Sequence, residues 1–478
     1  LDQALTLSLA HAAKQAGDSL ALITDEGEYS FAQLYSRMQA LAGRSPLREL
    51  LGERRMIAIR AHNSLAILLA FYAAIDSGSP MIVLHPRLTD AECLAQLAQF
   101  GLTQWLGDHE LALLAAQTDQ PRLSSEPPSY TTVDAESALA YLFTSGTSGT
   151  PKAATLSRRA FCASACASEQ NLGWTKSDRW LLCLPVCHVG GLSIVTRCLL
   201  GQKPVRLLHS FDETRVLAAI ERDACTMLSV VPTMLRRLLR ADQHNVLSRL
   251  RVLLVGGAAT PEALVDECAA RAIALRTTYG MTEAASQITT QRARKPSTVE
   301  YGYGPVLEGA QLRVLNADGG ACAPNEVGNI VVRGPMLFSG YYGQSGHLAQ
   351  DWFVTGDLGC LDSYENLQVF SRTTELIITG GENVYPLEVE RALERLSGVR
   401  AAMVFAQPDP EWGHRVCCAL VVTHDFSRDV FARECRVAMA AHKRPRALVL
   451  TEALPVNAAG KLDRALAARQ FAGQLLDI

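Results

Sequence analysis

The sequence predicts an α/β protein: a large N-terminal domain of layered α/β subdomains closed by a small β-rich subdomain, then an α+β C-terminal domain. Short apolar runs alternate with helical stretches from Met56 to Val255, the signature of α/β layers. From Gly302 the pattern changes to short strands between Gly-rich turns (Gln311 to Val314, Gly328 to Val332). After Arg372 about a hundred residues carry helices and strands of their own, enough for a separate core, so the division falls at 1–372 and 373–478.

The totals fit. At 478 residues the chain exceeds one ordinary core, and 48% hydrophobic with 19% charged residues is a soluble globular composition. Forty-five basic against 48 acidic residues leave a net charge of −3, so nothing global recruits nucleic acid or an anionic membrane, and a small-molecule partner is expected. The 13 cysteines are odd in number and scattered, which suits a reducing, cytoplasmic location. Cys183, Cys187 and His188 lack a fourth partner at zinc spacing and read as packed residues. The opening pattern (Leu5, Leu7, Leu9, Ala10) has no basic n-region, so no secretory leader is expected. The apolar runs Leu65 to Ala74 and Leu181 to Leu200 are too short or too interrupted for membrane insertion. Oligomeric state is open, a homodimer being one arrangement allowed.

In chain order, Tyr29-Ser30-Phe31 hands a strand to a capped helix. Met56 to Ile59 and Met81 to Leu84 read as strands, Leu65 to Ile75 as a helix ending near Gly78, and Thr89 to Phe100 as a helix with Thr89 as N-cap. Residues 118–135, rich in Ser, Pro, Thr and Asp, read as a surface loop. Trp180 to Leu184 is a strand that continues through His188 and Gly190-Gly191 into a helix. That puts an imidazole at a strand's C-terminal end, where α/β sheets bind ligands. Strands Val205 to Leu208, Met227 to Val231 and Val252 to Val255 follow, the last running into Gly256-Gly257-Ala258, bare backbone against which a flat ring can lie. Past the boundary, Leu387 to Leu396 and Asp429 to Ala441 read as helices, and Ala401 to Phe405 and Val416 to Val422 as strands.

Chemistry concentrates in a few segments. Tyr141 to Lys152 (YLFTSGTSGTPK) is an apolar strand entering a loop of Thr144, Ser145, Gly146, Thr147, Ser148, Gly149 and Thr150, closed by Pro151 and Lys152. Hydroxyls, backbone N–H groups and one lysine beside glycines suit a polyphosphate. It is not the Walker loop, which needs G-x-x-x-x-G-K-[ST]. Thr277 to Glu283 (TTYGMTE) combines an aromatic ring, a flexible point at Gly280, hydroxyls and a carboxylate, serving stacking, phosphate contact and magnesium. Trp352 to Asp357 ends in a carboxylate just after a turn, a common way to hold a ribose diol, the alternative being plain turn chemistry after Gly356. Leu454 to Arg464 (LPVNAAGKLDR) presents Lys461 on a turn.

In order and spacing, TSGTSGTPK, YGMTE, TGD, GGENVYPLEVE and PVNAAGK resemble the acyl-adenylate-forming family of acyl- and aryl-CoA ligases, peptide-synthetase adenylation domains and luciferases, over nearly the whole chain. The resemblance implies a mobile C-terminal domain, a site at the domain junction, and ATP, Mg²⁺ and CoA as ligands. It puts Thr144 to Lys152 on the ATP phosphates, and Gly257, Ala258, Thr278, Tyr279, Gly280 and Met281 around the adenine. Thr282 meets the α-phosphate, Glu283 the magnesium with Thr144 beside it, and Asp357 and Arg372 the ribose. Lys461 becomes the lysine bridging carboxylate and α-phosphate, and Gly380, Gly381 and Glu382 the turn that joins the CoA site.

Within the family, LPVCHVGGLSIVTR and TTYGMTEAASQIT are similar to the branch that activates 2-succinylbenzoate for menaquinone biosynthesis. That similarity implies an aromatic acid as substrate, with His188 catalytic and an acyl pocket of His188, Ser193, Arg197, Thr233, Gly256 and Gly257. Arg197 then faces a spectator carboxylate, the alternative being the solvated side of its helix. Val186-Cys187 stand before the histidine where L-F is usual, implying a reshaped pocket, and Thr374 stands where other members carry Asp or Lys. The other readings are a ligase for benzoate, anthranilate or a hydroxybenzoate, a stand-alone amino-acid adenylating enzyme, and a nucleotide- or acyl-binding protein without turnover.

Overall fold

The computed structural model describes residues 7–116, 133–144, 151–344, 351–457 and 462–478. The loop expected at 118–135 falls mostly outside the described residues, as do Ser145 to Thr150 and Lys461.

Two sheets with parallel centres form the larger part. In spatial order the eight-stranded one runs Ser286–Thr290, Leu275–Met281, Val252–Val255, Met227–Val230, Trp180–Leu182, Val205–Leu207, Leu20–Ile23, Glu28–Ser30, with only its edge pairs antiparallel. The five-stranded one runs Leu106–Gly107, Ile57–Arg60, Met81–Leu84, Ala138–Thr144, Lys152–Ser157, antiparallel only at the last pair. Parallel strands need helical crossovers on both faces, which is why Met81–Leu84 and Val252–Val255 are continuous apolar runs buried throughout. Helix Leu65–Ser77 is apolar on every side, buried from Ala66 onward, and stops on Gly78 in the left-handed region (φ 78°). Ser30 and Thr89 each close a capping box, fixing the starts of helices Phe31–Ala42 and Asp90–Leu97.

One buried amide stitches the two sheets together. Asn63, just beyond strand Ile57–Arg60, donates from Nδ2 to the carbonyls of Leu184 (2.9 Å) and Leu208 (3.3 Å), and its Oδ1 accepts the Val186 N–H (3.1 Å). Strand Trp180–Leu182 stops two residues short of the sequence expectation, and beyond it Asn63 takes the Leu184 carbonyl and the Val186 N–H. The C-terminal ends of both sheets converge at this point.

Beyond them, Gln311–Leu315, Gly328–Arg333, Phe353–Leu361 and Leu367–Arg372 make the expected β-rich unit, an antiparallel four-stranded sheet. The last segment holds the hairpin Ile377–Thr379 with Glu382–Val384, and the sheet Val399–Asp409, Gly413–Val422, Ala447–Leu450, Leu476–Asp477. Its alternating strands feed two apolar clusters, one with Val404, Cys418, Leu420 and Phe431, the other with Met403, Phe405, Cys417 and Phe471. Arg395 pairs with Glu262, and Arg236 Nη1 donates to the Arg400 carbonyl (3.2 Å), joining this segment to the larger part. All 13 cysteines are free thiols. Among the described residues no helix is long and apolar enough to cross a membrane.

Candidate active site

The hydroxyl-rich loop springs from a hairpin. Strand Ala138–Thr144 pairs with Lys152–Ser157 so that Thr144 sits opposite Lys152, and the Thr144 hydroxyl donates to the Lys152 carbonyl (3.4 Å). Ser145 to Thr150 lie between these fixed ends, outside the described residues. Lys152 Nζ stands 5.2 Å from the centroid of the Tyr341 ring, a cation-π contact. The Tyr341 hydroxyl donates to Glu283 Oε1 (2.6 Å), and burial together with that carboxylate pushes the phenol's pKa up. Tyr341 was not singled out by the sequence reading, yet it joins the loop to the YGMTE segment.

Strand Leu275–Met281 carries that segment and passes into a helical turn at Thr282–Ala284. Gly280 is a tight crossing, which corrects the expected flexible point. A Cβ there would lie 1.6 Å from the Ser286 carbonyl oxygen, because the hairpin with Ser286–Thr290 bulges at Tyr279/Gly280. The Thr278 hydroxyl is spent inside the sheet, donating to the Thr289 carbonyl (2.7 Å). Gly256 presses against Thr278, where a Cβ would lie 2.7 Å from Cγ2, and Gly257 turns at φ 80° with Ala258 following.

Tyr279, Asp357 and Arg372 come together. Asp357 and Arg372 are register partners on adjacent antiparallel strands, with Arg372 Nε 3.0 Å from Asp357 Oδ1. The Tyr279 hydroxyl donates to Asp357 Oδ2 (2.7 Å). Burial, then the adjacent Asp357, pushes the Tyr279 phenol far up, so it stays a donor. Asp357 is thus fixed from both sides.

The acyl segment lies across the sheet ends. His188 is the N-cap residue of helix Val189–Leu200, whose second turn carries Ser193 and whose last turn carries Arg197. The Ser193 hydroxyl donates to the Gly190 carbonyl (3.1 Å). Arg197 is 3% exposed, which overturns the alternative of a solvated helix face. Its guanidinium lies 5.7 Å from the Trp180 ring centroid, and Nε and one Nη are buried with no hydrogen-bond partner among the described residues. Burial lowers its pKa to about 10. A buried cation without a counter-charge among the described residues is costly, and an anion placed against it would offset that cost. Thr233, in the first turn of helix Pro232–Ala241, is exposed beside the strand ends. Of the cysteine and histidine neighbours, Cys183 points its thiol at the Ser229 carbonyl (3.9 Å), while Cys187 and His188 gather with His85.

In the C-terminal segment Gly380 (φ 57°) and Gly381 (φ 84°) turn the small hairpin, with the Gly380 N–H on the Trp412 carbonyl (2.9 Å) and Glu382 exposed. Lys461 is outside the described residues, but its flanks close on each other: Val456 bridges Leu462, and the Asp463 N–H donates to the Pro455 carbonyl (3.0 Å). Arg464 then pairs with Glu375 (3.1 Å) and Glu390 (2.8 Å).

The profile of the AMP-binding enzymes matches residues 9–342, and that of the AMP-binding enzyme C-terminal domain matches residues 388–461. The chain belongs to the AMP-binding enzyme family. Among AMP-binding enzymes it is similar to the 2-succinylbenzoate–CoA ligase of Bacillus velezensis, with 34% identity over 94% of each chain. The o-succinylbenzoate CoA synthetase of Bacillus subtilis, solved with its acyl-adenylate intermediate, superposes with a TM-score of 0.85 at 29% identity, covering 97% of this chain and 98% of that one. The same AMP-binding enzyme solved with ATP and a magnesium ion gives 0.82 at 29% identity, over 96% and 98%.

Proposed function

We propose that this enzyme is an AMP-forming acid–thiol ligase. It activates 2-succinylbenzoate as an acyl-adenylate with release of pyrophosphate, then transfers the acyl group to CoA, giving 2-succinylbenzoyl-CoA and AMP. The observation that carries the substrate is Arg197, a buried cation without a counter-ion among the described residues, on the helix that starts at His188. A dicarboxylate offers one group for activation and a spectator anion to fill that vacancy in charge.

In the first half-reaction a carboxylate oxygen attacks the α-phosphorus and the bond to pyrophosphate breaks. Two anions must meet, so the protein supplies positive charge and fixed donors. Lys152 and the Thr144 to Thr150 loop hold the phosphates, Asp357 and Arg372 the ribose, and backbone at Gly257, Ala258, Thr278 and Gly280 the adenine, with Tyr279 and Met281 beside it. Thr282 donates to the α-phosphate and Lys461 bridges the reacting oxygens. Glu283 suits Mg²⁺: its carboxylate is a hard oxygen donor, and one of its oxygens is oriented by the Tyr341 hydroxyl. Bound magnesium supplies charge neutralisation on the phosphates.

In the second half-reaction the CoA sulfur attacks the acyl carbonyl, its proton leaves, and AMP departs. Lys461 would obstruct that approach, so the C-terminal domain turns and brings Gly380, Gly381 and Glu382 to the site. The Glu375–Arg464–Glu390 pairs support a boundary at Arg372/Thr373, since they bind the segment that follows Lys461 to residues after that point. We place the enzyme in the cytoplasm, where ATP and CoA are supplied, and sedimentation distinguishes monomer from homodimer.

The test is thioester detection with 2-succinylbenzoate, ATP, Mg²⁺ and CoA. Pyrophosphate release with benzoate, anthranilate or a hydroxybenzoate, and none with 2-succinylbenzoate, would refute the substrate assignment.

A further inference from the structure

Next to His188 lies a group that no role above uses. His85 follows strand Met81–Leu84, the neighbour of the strand that enters the phosphate loop. Its ring centroid is 5.4 Å from that of His188, and ligand atoms of His85, Cys187 and His188 lie within 4.8 Å of one another. Two imidazoles and a thiol invite a metal reading, but hydrogen bonding opposes it. His85 Nδ1 accepts the Arg87 N–H (3.1 Å), so in the neutral ring the proton is on Nε2, the nitrogen that turns inward. That N–H is buried with no acceptor among the described residues. Burial and then Arg87 lower the His85 pKa, which keeps the ring neutral, and burial pushes the Cys187 thiol up to about 12, so it offers no thiolate to a cation. His85 thus presents a neutral, buried N–H donor toward His188.

We propose that His85 is a substrate-recognition residue whose Nε2–H donates to the ketone oxygen of the bound acyl group. The inference rests on the reading of the substrate as 2-succinylbenzoate, which carries three polar groups. The activated carboxylate goes to the α-phosphate, the spectator carboxylate requires the charge of Arg197, and the ketone requires one neutral donor. His85 is the buried donor of that kind beside His188.

The experiment compares thioester formation from 2-succinylbenzoate and from 4-(2-carboxyphenyl)butanoate, in which CH₂ replaces the ketone, by the wild type, His85→Leu and His85→Asn. A ratio of two kcat/KM values within one variant is independent of how much of it folds. The wild type is expected to favour the ketone by about tenfold, His85→Leu to bring the ratio near one, and His85→Asn to keep part of it. An unchanged ratio in His85→Leu overturns the inference and leaves the substrate reading intact; absence of thioester from either acid with the wild type removes both. Micromolar Zn²⁺ inhibition abolished by His85→Leu and by Cys187→Ser would make the cluster a metal site and likewise overturn it.

Discussion

The phenol of Tyr341 donates to Glu283 at 2.6 Å while its ring carries the Lys152 ammonium 5.2 Å from the centroid, so one tyrosine sets the positions of both the acidic and the basic group proposed to meet the phosphates.

Tyr341→Phe removes the hydroxyl and leaves the ring. The Lys152 contact survives, while Glu283 loses its orienting bond. The magnesium concentration for half-maximal pyrophosphate release is expected to rise about tenfold, the usual scale for loss of an outer-sphere partner, with KM for the acid little changed.

Arg197→Met replaces an unpaired buried cation with an apolar chain of similar length. Because the folded pKa lies below the ordinary guanidinium value, the charged form is disfavoured on folding. Its cost is present at neutral pH and is relieved only as pH rises past about 10. The ligand-free variant should therefore melt no lower than the wild type at pH 7, yet lose the thermal stabilisation that 2-succinylbenzoate gives the wild type. Equal stabilisation of both proteins would remove Arg197 from the acid's pocket.

Lys461→Ala is expected to cost adenylation about 3 kcal/mol or more, by analogy with removal of one oxyanion donor. Thioester formation from supplied acyl-adenylate and CoA should remain near the wild-type rate. Single-turnover measurements of each half-reaction test this, and equal losses in both would refute the division of labour.

Asn63→Ala strips three backbone groups of their buried partner at the seam between the sheets. A loss of about 2–3 kcal/mol in unfolding free energy is expected, read from urea denaturation. Since Leu184 and Val186 lead into His188, KM for the acid should rise as well.

Much of this was legible in the sequence. The alternation of apolar runs and the Gly-rich turns located the sheets, and Ser30, Thr89 and Gly78 marked helix ends because capping depends on local residue types. The neighbourhood of Asp357 and Arg372 was also readable, through motif order. What the sequence concealed is contact between distant segments. Nothing near Tyr341 announces Glu283, 58 positions away, and nothing near Asn63 announces strand ends more than 120 residues on. Gly280 looked like freedom and is a collision avoided, since only the folded hairpin reveals Ser286 lying across it.

Glu375 is tied to Arg464, whereas Arg372 is tied to Asp357, and only Thr373 and Thr374 stand between these anchors. Under the proposed two-stroke cycle, that pair of threonines is an axle with hardly any length. Reorientation must be concentrated in a handful of backbone torsions, so its pace answers to local stiffness more than to how strongly the two lobes adhere. Thr374→Pro should accordingly slow overall turnover by an order of magnitude or more while sparing the pyrophosphate burst, a separation visible by quenched-flow.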